Sequence, residues 1–229
     1  MSFVVIIVAA ELFTNGIEWL GVRLSLSEGA VGSVLAAVGT ALMTRGQVNV
    51  GGNADVLGTN HTPPSWGPYC TGLSTADAAG IILDDSTATN PSTSGKANTI
   101  AGNPPVAEDP NIVDSTFTNF GNLTWDELVE IAKIEGKDIT SLGTTVNGIG
   151  PTVSGGRCDT ANLKNWGDTI PASLCGSYFP LIYHAGNLNL QANSYGQGVL
   201  LVEGNLQLAG GFRFYGIVVT QGAFSTGAG

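Results

Sequence analysis

Apolar and polar positions alternate with period two in three C-terminal segments, residues 182–190, 200–208 and 218–226, which align without gaps. Each carries the same core: Gly186-Asn-Leu188-Asn-Leu190, Gly204-Asn-Leu206-Gln-Leu208 and Gly222-Ala-Phe224-Ser-Thr226. Such alternation predicts strands with the apolar side chains inward and Asn, Gln or Ser outward. Gly186, Gly204 and Gly222 fall 18 residues apart, and Gly198 and Gly216 repeat that interval at a second corner. An 18-residue period divides into three six-residue sides, and glycine at a corner supplies the positive φ of a sharp bend. Stacked units of this kind bury their core only against their neighbours. The pattern therefore predicts a mainly β fold, a triangular β-helix of the β-solenoid class, in preference to three unrelated strands of a sandwich.

A similar unit opens the β-rich part, Thr44-Arg-Gly46-Gln-Val48-Asn-Val50, with a weaker one in Gly52-Asn-Ala54-Asp-Val56 and a strand-like run in Ala79-Gly80-Ile-Ile-Leu83. Between them, residues 58–78 and 84–112 read as polar loops rich in Pro, Ser, Thr and Asn, with Asn103-Pro-Pro as a break. One helix follows. Thr124-Trp-Asp-Glu127 is a capping box, Trp125, Leu128, Val129 and Ala132 form an apolar stripe, and Gly136 ends it. The helix is expected over a flank or open edge of the stack. The loop and helix insertion covers about 84–170.

The periodicity changes near residue 44. Residues 1–44 hold two apolar runs, 3–10 and 29–43, and four charges, Glu11, Glu18, Arg23 and Glu28. Neither run reaches the roughly 20 residues that span a bilayer. Glu11 interrupts the first too early for a signal peptide. Carboxylates at membrane depth face protein or water. The segment reads as an apolar helical membrane hairpin, part of a larger bundle, with a soluble hairpin as the alternative. The expected organisation is thus 1–44 membrane segment and 45–229 β-solenoid domain.

Composition narrows the function classes. Of 229 residues only 11% are charged, against roughly 25% in an average protein, and Gly reaches 33. The net charge is −10 and the 8 Lys and Arg are dispersed, which excludes nucleic acid, whose phosphates need clustered cations, and argues against a polybasic lipid anchor. Of three cysteines, Cys70, Cys158 and Cys175, the latter two enclose a loop that a disulfide would staple in an oxidising compartment. Unpaired buried thiols are the alternative.

Catalytic chemistry finds no purchase. His61 lies in a Pro-rich loop, and His184 occupies a repeat position aligned with Val202 and Thr220. The G-x-S-x-G elbow of a serine hydrolase is missing. Glu203 aligns with Ala185 and Gln221, so no acid platform for glycoside hydrolysis repeats along the stack. No zinc spacing, EF-hand, P-loop or dinucleotide fingerprint is found. No catalytic residue, cofactor site or metal site is expected.

Two resemblances add to this reading. Residues 10–42, with Ala-Glu11-Leu-Phe-Thr-Asn-Gly-Ile-Glu18-Trp-Leu and the small residues Gly32, Ser33, Ala36, Ala37, Gly39, Thr40 and Ala41, resemble the sodium/calcium exchanger membrane region. That implies vestigial cation-path residues at Glu11, Glu18 and Thr40. Met43 and Thr44 stand where that family has Pro-Glu, so its carboxylate ligand is missing, as is the second, inverted repeat of such transporters. Residues 43–229 resemble PilX-type pilus-assembly proteins in the order of Thr44-Arg-Gly46, Asn103-Pro-Pro, Phe120-Gly-Asn-Leu-Thr124-Trp125, Asn165-Trp-Gly167, Tyr178-Phe-Pro180 and Gly196-Gln-Gly198-Val-Leu-Leu-Val-Glu-Gly204. That family implies a surface or pilus-associated role. The ending Thr226-Gly-Ala-Gly229, without an obvious cap, reads as a truncated or fused frame.

The expectation is a non-enzymatic structural protein of the cell envelope or surface, membrane-associated through 1–44, with the solenoid outside the cytoplasm. Its partners would be pilus or envelope proteins, or a second copy at the open end of the stack. The alternatives are cation exchange by the N-terminal segment and carbohydrate binding through Trp66, Tyr69, Trp166 and Tyr195.

Overall fold

The computed structural model describes residues 3–6, 40–44, 48–51, 54–58, 77–83, 92–94, 99–112, 118–120 and 123–227. The chain is mainly β. In order it forms β1 (Phe3–Ile6), β2 (Thr40–Thr44), β3 (Val48–Gly51), β4 (Ala54–Leu57), β5 (Ala79–Leu83), β6 (Ser92–Ser94), β7 (Thr99–Ala101) and β8 (Val106–Glu108). The short strands β9 (Asn119–Phe120) and β10 (Leu123–Thr124) lead into α1 (Trp125–Ile134). After it come β11 (Lys137–Asp138), β12 (Thr145–Val146), β13 (Val153–Ser154) and β14 (Arg157–Cys158). The series ends with β15 (Leu181–His184), β16 (Leu188–Leu190), β17 (Tyr195–Val202), β18 (Leu206–Ala209), β19 (Arg213–Thr220) and β20 (Phe224–Gly227).

Three parallel sheets enclose the core. Their strand orders are β11-β15-β17-β19-β1-β4-β7, β12-β16-β18-β20-β3-β6 and β2-β5-β8. The 18-residue spacing is the register itself: Ile182 faces Leu200, and Leu200 faces Val218. Leu188, Leu206 and Phe224 align in the second sheet, and Val48 follows Phe224. These side chains, with Val50, Ile81, Leu83, Leu190 and Leu208, gather in one cluster, while Gln207 and Asn49 between them are exposed. In this second sheet period-two alternation thus places one row in the core and the next in water.

The glycines stand in columns. Gly204 N donates to Gly186 O at 3.0 Å, and Gly222 N to Gly204 O at 3.1 Å. Gly186, in the bend after β15, has φ +75°, whereas Gly198 (+129°) and Gly216 (+147°) lie inside β17 and β19 and not at a corner between strands. Gly204 and Gly222 do not adopt positive φ, and another cause holds them. A Cβ on Gly204 would collide with Asn187 Oδ1, and one on Gly222 with Asn205 Oδ1. Those two amides are ladder rungs: Asn187 Oδ1 accepts from Asn205 N at 2.8 Å, and Asn205 Oδ1 from Ala223 N at 2.8 Å.

The capping box forms as read. Glu127 N donates to Thr124 Oγ1 at 3.4 Å, and Thr124 N to Glu127 Oε2 at 2.8 Å. The apolar stripe of α1 packs on the outer face of the first sheet, where Trp125, Leu128, Val129 and Ala132 meet Leu181, Tyr183, Val199 and Leu201.

Three expectations change. The apolar helix expected over 1–44 gives way at its described ends to β1, which lies between β19 and β4, and β2, which pairs with β5. β1 is thus paired on both edges, and β2 on one. The rest of that segment, with Glu11 and Glu18, lies outside the described residues, as does Cys70. Thr40 opens β2, opposite Ala79. Among the described residues, no helix is long and apolar enough to cross a membrane. The polar stretch 84–112 contains β6, β7 and β8, and the insertion to 170 contains β11 and β12. These strands are two or three residues long, too short to show a pattern, and pairing with a formed neighbour makes them strands.

Candidate functional site

The densest group of buried polar side chains closes one end of the sheets, around β11, β12 and the loop 150–180. Lys137 aligns with Ile182, a core position, and is only 3% exposed. An ammonium there must be paired. Its Nζ donates to Thr160 O at 2.6 Å and Asn162 O at 2.7 Å. It also lies 5.4 Å from the Tyr178 ring centroid. Burial lowers the Lys137 pKa to about 8, against a smaller raising effect of Asp159. The ammonium ties the loop to the last strand. An inward-pointing charge of this kind also blunts a sheet end against further pairing.

Cys158 and Cys175 form a disulfide with Cα atoms 5.0 Å apart. Asn165, fully buried, holds the loop around it. Its Nδ2 donates to Asp159 O at 2.7 Å and Thr152 O at 3.1 Å, and its Oδ1 accepts from Gly167 N at 3.1 Å. Next to it Trp166 is buried edge-on against Phe212 and Phe214, with centroids at 6.3 and 6.1 Å. Such edge-to-face pairs add to plain burial. Trp166 is therefore a core residue and offers no surface for a sugar, a correction to its reading as an exposed aromatic. Tyr195 is half-buried at the start of β17, and Trp66 and Tyr69 lie outside the described residues.

His184 occupies its repeat position opposite Val202 and is 1% exposed. Its Nε2 lies 3.0 Å from Gly143 O, so that nitrogen carries the hydrogen, and Nδ1 has no partner. Among the described residues, Gly143 O is the ring's hydrogen-bond partner. The Tyr183 hydroxyl donates to Glu203 Oε1. Lys133 of α1 sits 4.8 Å over the Tyr183 ring. Burial, then the Glu203 contact, pushes the Tyr183 hydroxyl well above its ordinary range. This pair joins β15 to the bend that follows β17. Among the described residues no group of three or more His, Cys, Asp or Glu side chains is placed to hold a metal ion.

The sequence offered a Cys158–Cys175 bridge beside unpaired thiols, and the structure has the bridge; the 18-residue glycine spacing gave the column but not Lys137, Asn165 or the Asn187–Asn205 ladder. The ladder had a signal, the Gly-Asn pair recurring at 186–187 and 204–205. Lys137 had none, because the whole loop separates it from its neighbour Ile182.

The comparisons add no relative. No protein-family model, curated protein or solved structure matches the chain.

Proposed function

We propose that this chain is a non-enzymatic structural protein of the cell envelope or surface, of the pilus-assembly kind, built as a β-solenoid of triangular 18-residue coils. The observation that carries the reading is the in-register stacking of residues 181–190, 195–209 and 213–227. Its repeat positions serve the core, the corners and the Asn ladder, as in proteins whose stability is a sum over neighbouring repeats. The Cys158–Cys175 bridge supports an extracytoplasmic site, since disulfides persist in oxidising compartments. The polar outer row of the second sheet suits lateral contact with other envelope proteins, and the end opposite Lys137 suits strand addition by a partner or a second copy.

Intact cells expressing the chain test this. Externally added protease should remove it, and thiol labelling without reductant should leave Cys158 and Cys175 unmodified. Deletion should reduce surface fibres. A protein confined to the cytoplasm with both thiols free refutes the reading. So does a robust hydrolase activity of the purified chain that one acid substitution abolishes.

A further inference from the structure

The turn after β12 holds Asn147-Gly148, the one Asn-Gly pair among the described residues. Both residues are exposed. Gly148 has φ +65°, with open space where a Cβ would be. The backbone is pinned on the far side: Ile149 N donates to Ser194 Oγ at 3.3 Å and Gly150 N to Lys164 O at 3.1 Å. The Gly148 N–H itself makes no hydrogen bond among the described residues. Lys164 N is fixed in turn by Asn162 Oδ1 at 2.9 Å. From there Lys164 Nζ donates to Asn147 Oδ1 at 3.3 Å.

We propose that Asn147 is a site of spontaneous covalent modification, an intramolecular cyclisation that Lys164 promotes. The Gly148 amide nitrogen, deprotonated by hydroxide, attacks Asn147 Cγ. The new N–Cγ bond forms, the Cγ–Nδ2 bond breaks, and ammonia leaves with a proton from water. Water then opens the succinimide at either carbonyl, giving an aspartyl or an isoaspartyl residue at 147. Three features favour the step. Glycine puts no side chain in the path of attack. Its free N–H has no bond to lose. The Lys164 ammonium sits on the oxygen that becomes negative during attack, the place where a fixed donor lowers such barriers. The aspartyl product keeps its carboxylate beside Lys164, turning a neutral contact into an ion pair. The isoaspartyl product lengthens the backbone of the turn that joins β12 to the disulfide loop.

The test is peptide mapping by mass spectrometry of the whole purified chain, aged in mildly alkaline buffer made with heavy-oxygen water. One heavy oxygen should appear at 147, with both isomers, at a rate within a fewfold of a free peptide of residues 145–149. Lys164→Met should slow it by about two- to fivefold, the range of an exposed charge contact. Gly148→Ala should slow it further, and circular dichroism of each variant checks the fold. More than tenfold protection of Asn147 relative to the free peptide overturns the proposal. An unchanged rate in a folded Lys164→Met chain overturns the part assigned to the lysine.

Discussion

Alanine at Gly216 should cost far more than alanine at Gly186, although both glycines have positive φ. At Gly186, φ is +75° and nothing lies within 4 Å of the added methyl. An L residue in that region costs about 1–2 kcal/mol, and the stiffer unfolded chain returns about 0.4–1 kcal/mol. The net loss is about 1 kcal/mol. Gly216 has φ +147°, where a side chain is strained by about 1–3 kcal/mol. Its added carbon would also strike the Gly198 carbonyl in the adjoining strand. Relief requires β19 to lift from β17, with which it shares eight paired residues. Loosening two or three of those ladder bonds adds about 1 kcal/mol each. The Gly216→Ala loss should therefore be about 4 kcal/mol, some 3 kcal/mol beyond Gly186→Ala. With an m-value of about 2 kcal/mol/M in urea, the two midpoints should separate by about 1.5 M. Equilibrium urea unfolding followed by circular dichroism measures this. Failure of Gly216→Ala to accumulate as folded protein, while Gly186→Ala does, falls on the same side. If the two variants unfold within about 1 kcal/mol of each other, Gly216 does not sit on Gly198 and the column is wrong.

Reducing the Cys158–Cys175 bridge, whose ends are 17 residues apart, should cost about 3 kcal/mol through the freed chain entropy, read as a lower urea midpoint with reductant; an unchanged midpoint contradicts the staple. Leu200→Ala, at a fully buried site between Ile182 and Val218, should cost about 2–5 kcal/mol, and a loss under about 1 kcal/mol removes it from the core. Lys137 gives a pH signature. Its folded pKa of about 8 lies below the ordinary 10.5, so between those values the unfolded chain holds more of the proton and stability must rise with pH. Lys137→Met should lose that rise, measured as wild type minus variant, and an identical slope in both refutes the buried ammonium.

Legibility followed repetition. Where three copies repeat at fixed spacing, as in residues 181–227, one alignment exposes strand positions and register together, although Gly198 and Gly216, read as corners, fall inside β17 and β19. The capping box around Thr124 was legible for a different reason, since its bonds span three residues and need no tertiary context. What escaped was set by neighbours in space. Nothing in Ser92–Ser94 or Thr99–Ala101 marks a strand until β3 and β4 offer their edges. Gly204 and Gly222 were legible as glycines but not in their cause, because the pressure on them comes from Asn187 and Asn205, each one repeat away. Phe3–Ile6 is apolar enough for either helix or strand, and the choice falls to its pairing with β19 and β4.

The order of stacking differs from the order of the chain. The strands β19 and β20 do not end the stack; they receive β1 and β3 on their far side. From β1 the stack builds away through β4 to β8. The chain then crosses to the other end with α1 and returns through β11 to β20, until β19 and β20 meet β1 and β3. The seam is narrow. Among the described residues, β1 and β19 share two residue pairs, and β20 and β3 share two, whereas β17 and β19 share eight. Two pairs also join β11 to β15 and β12 to β16, so the seam is as narrow as the joints at the Lys137 end. It differs from them in pairing opposite ends of the chain, Val5 with Phe214 and Phe224 with Val48, and contacts so distant in sequence are costly to close. The disulfide, the Lys137 tie and the Asn ladder all lie in the half built from residues 137–227. That half can order first and present β19 and β20 as a finished edge to the residues that complete the stack.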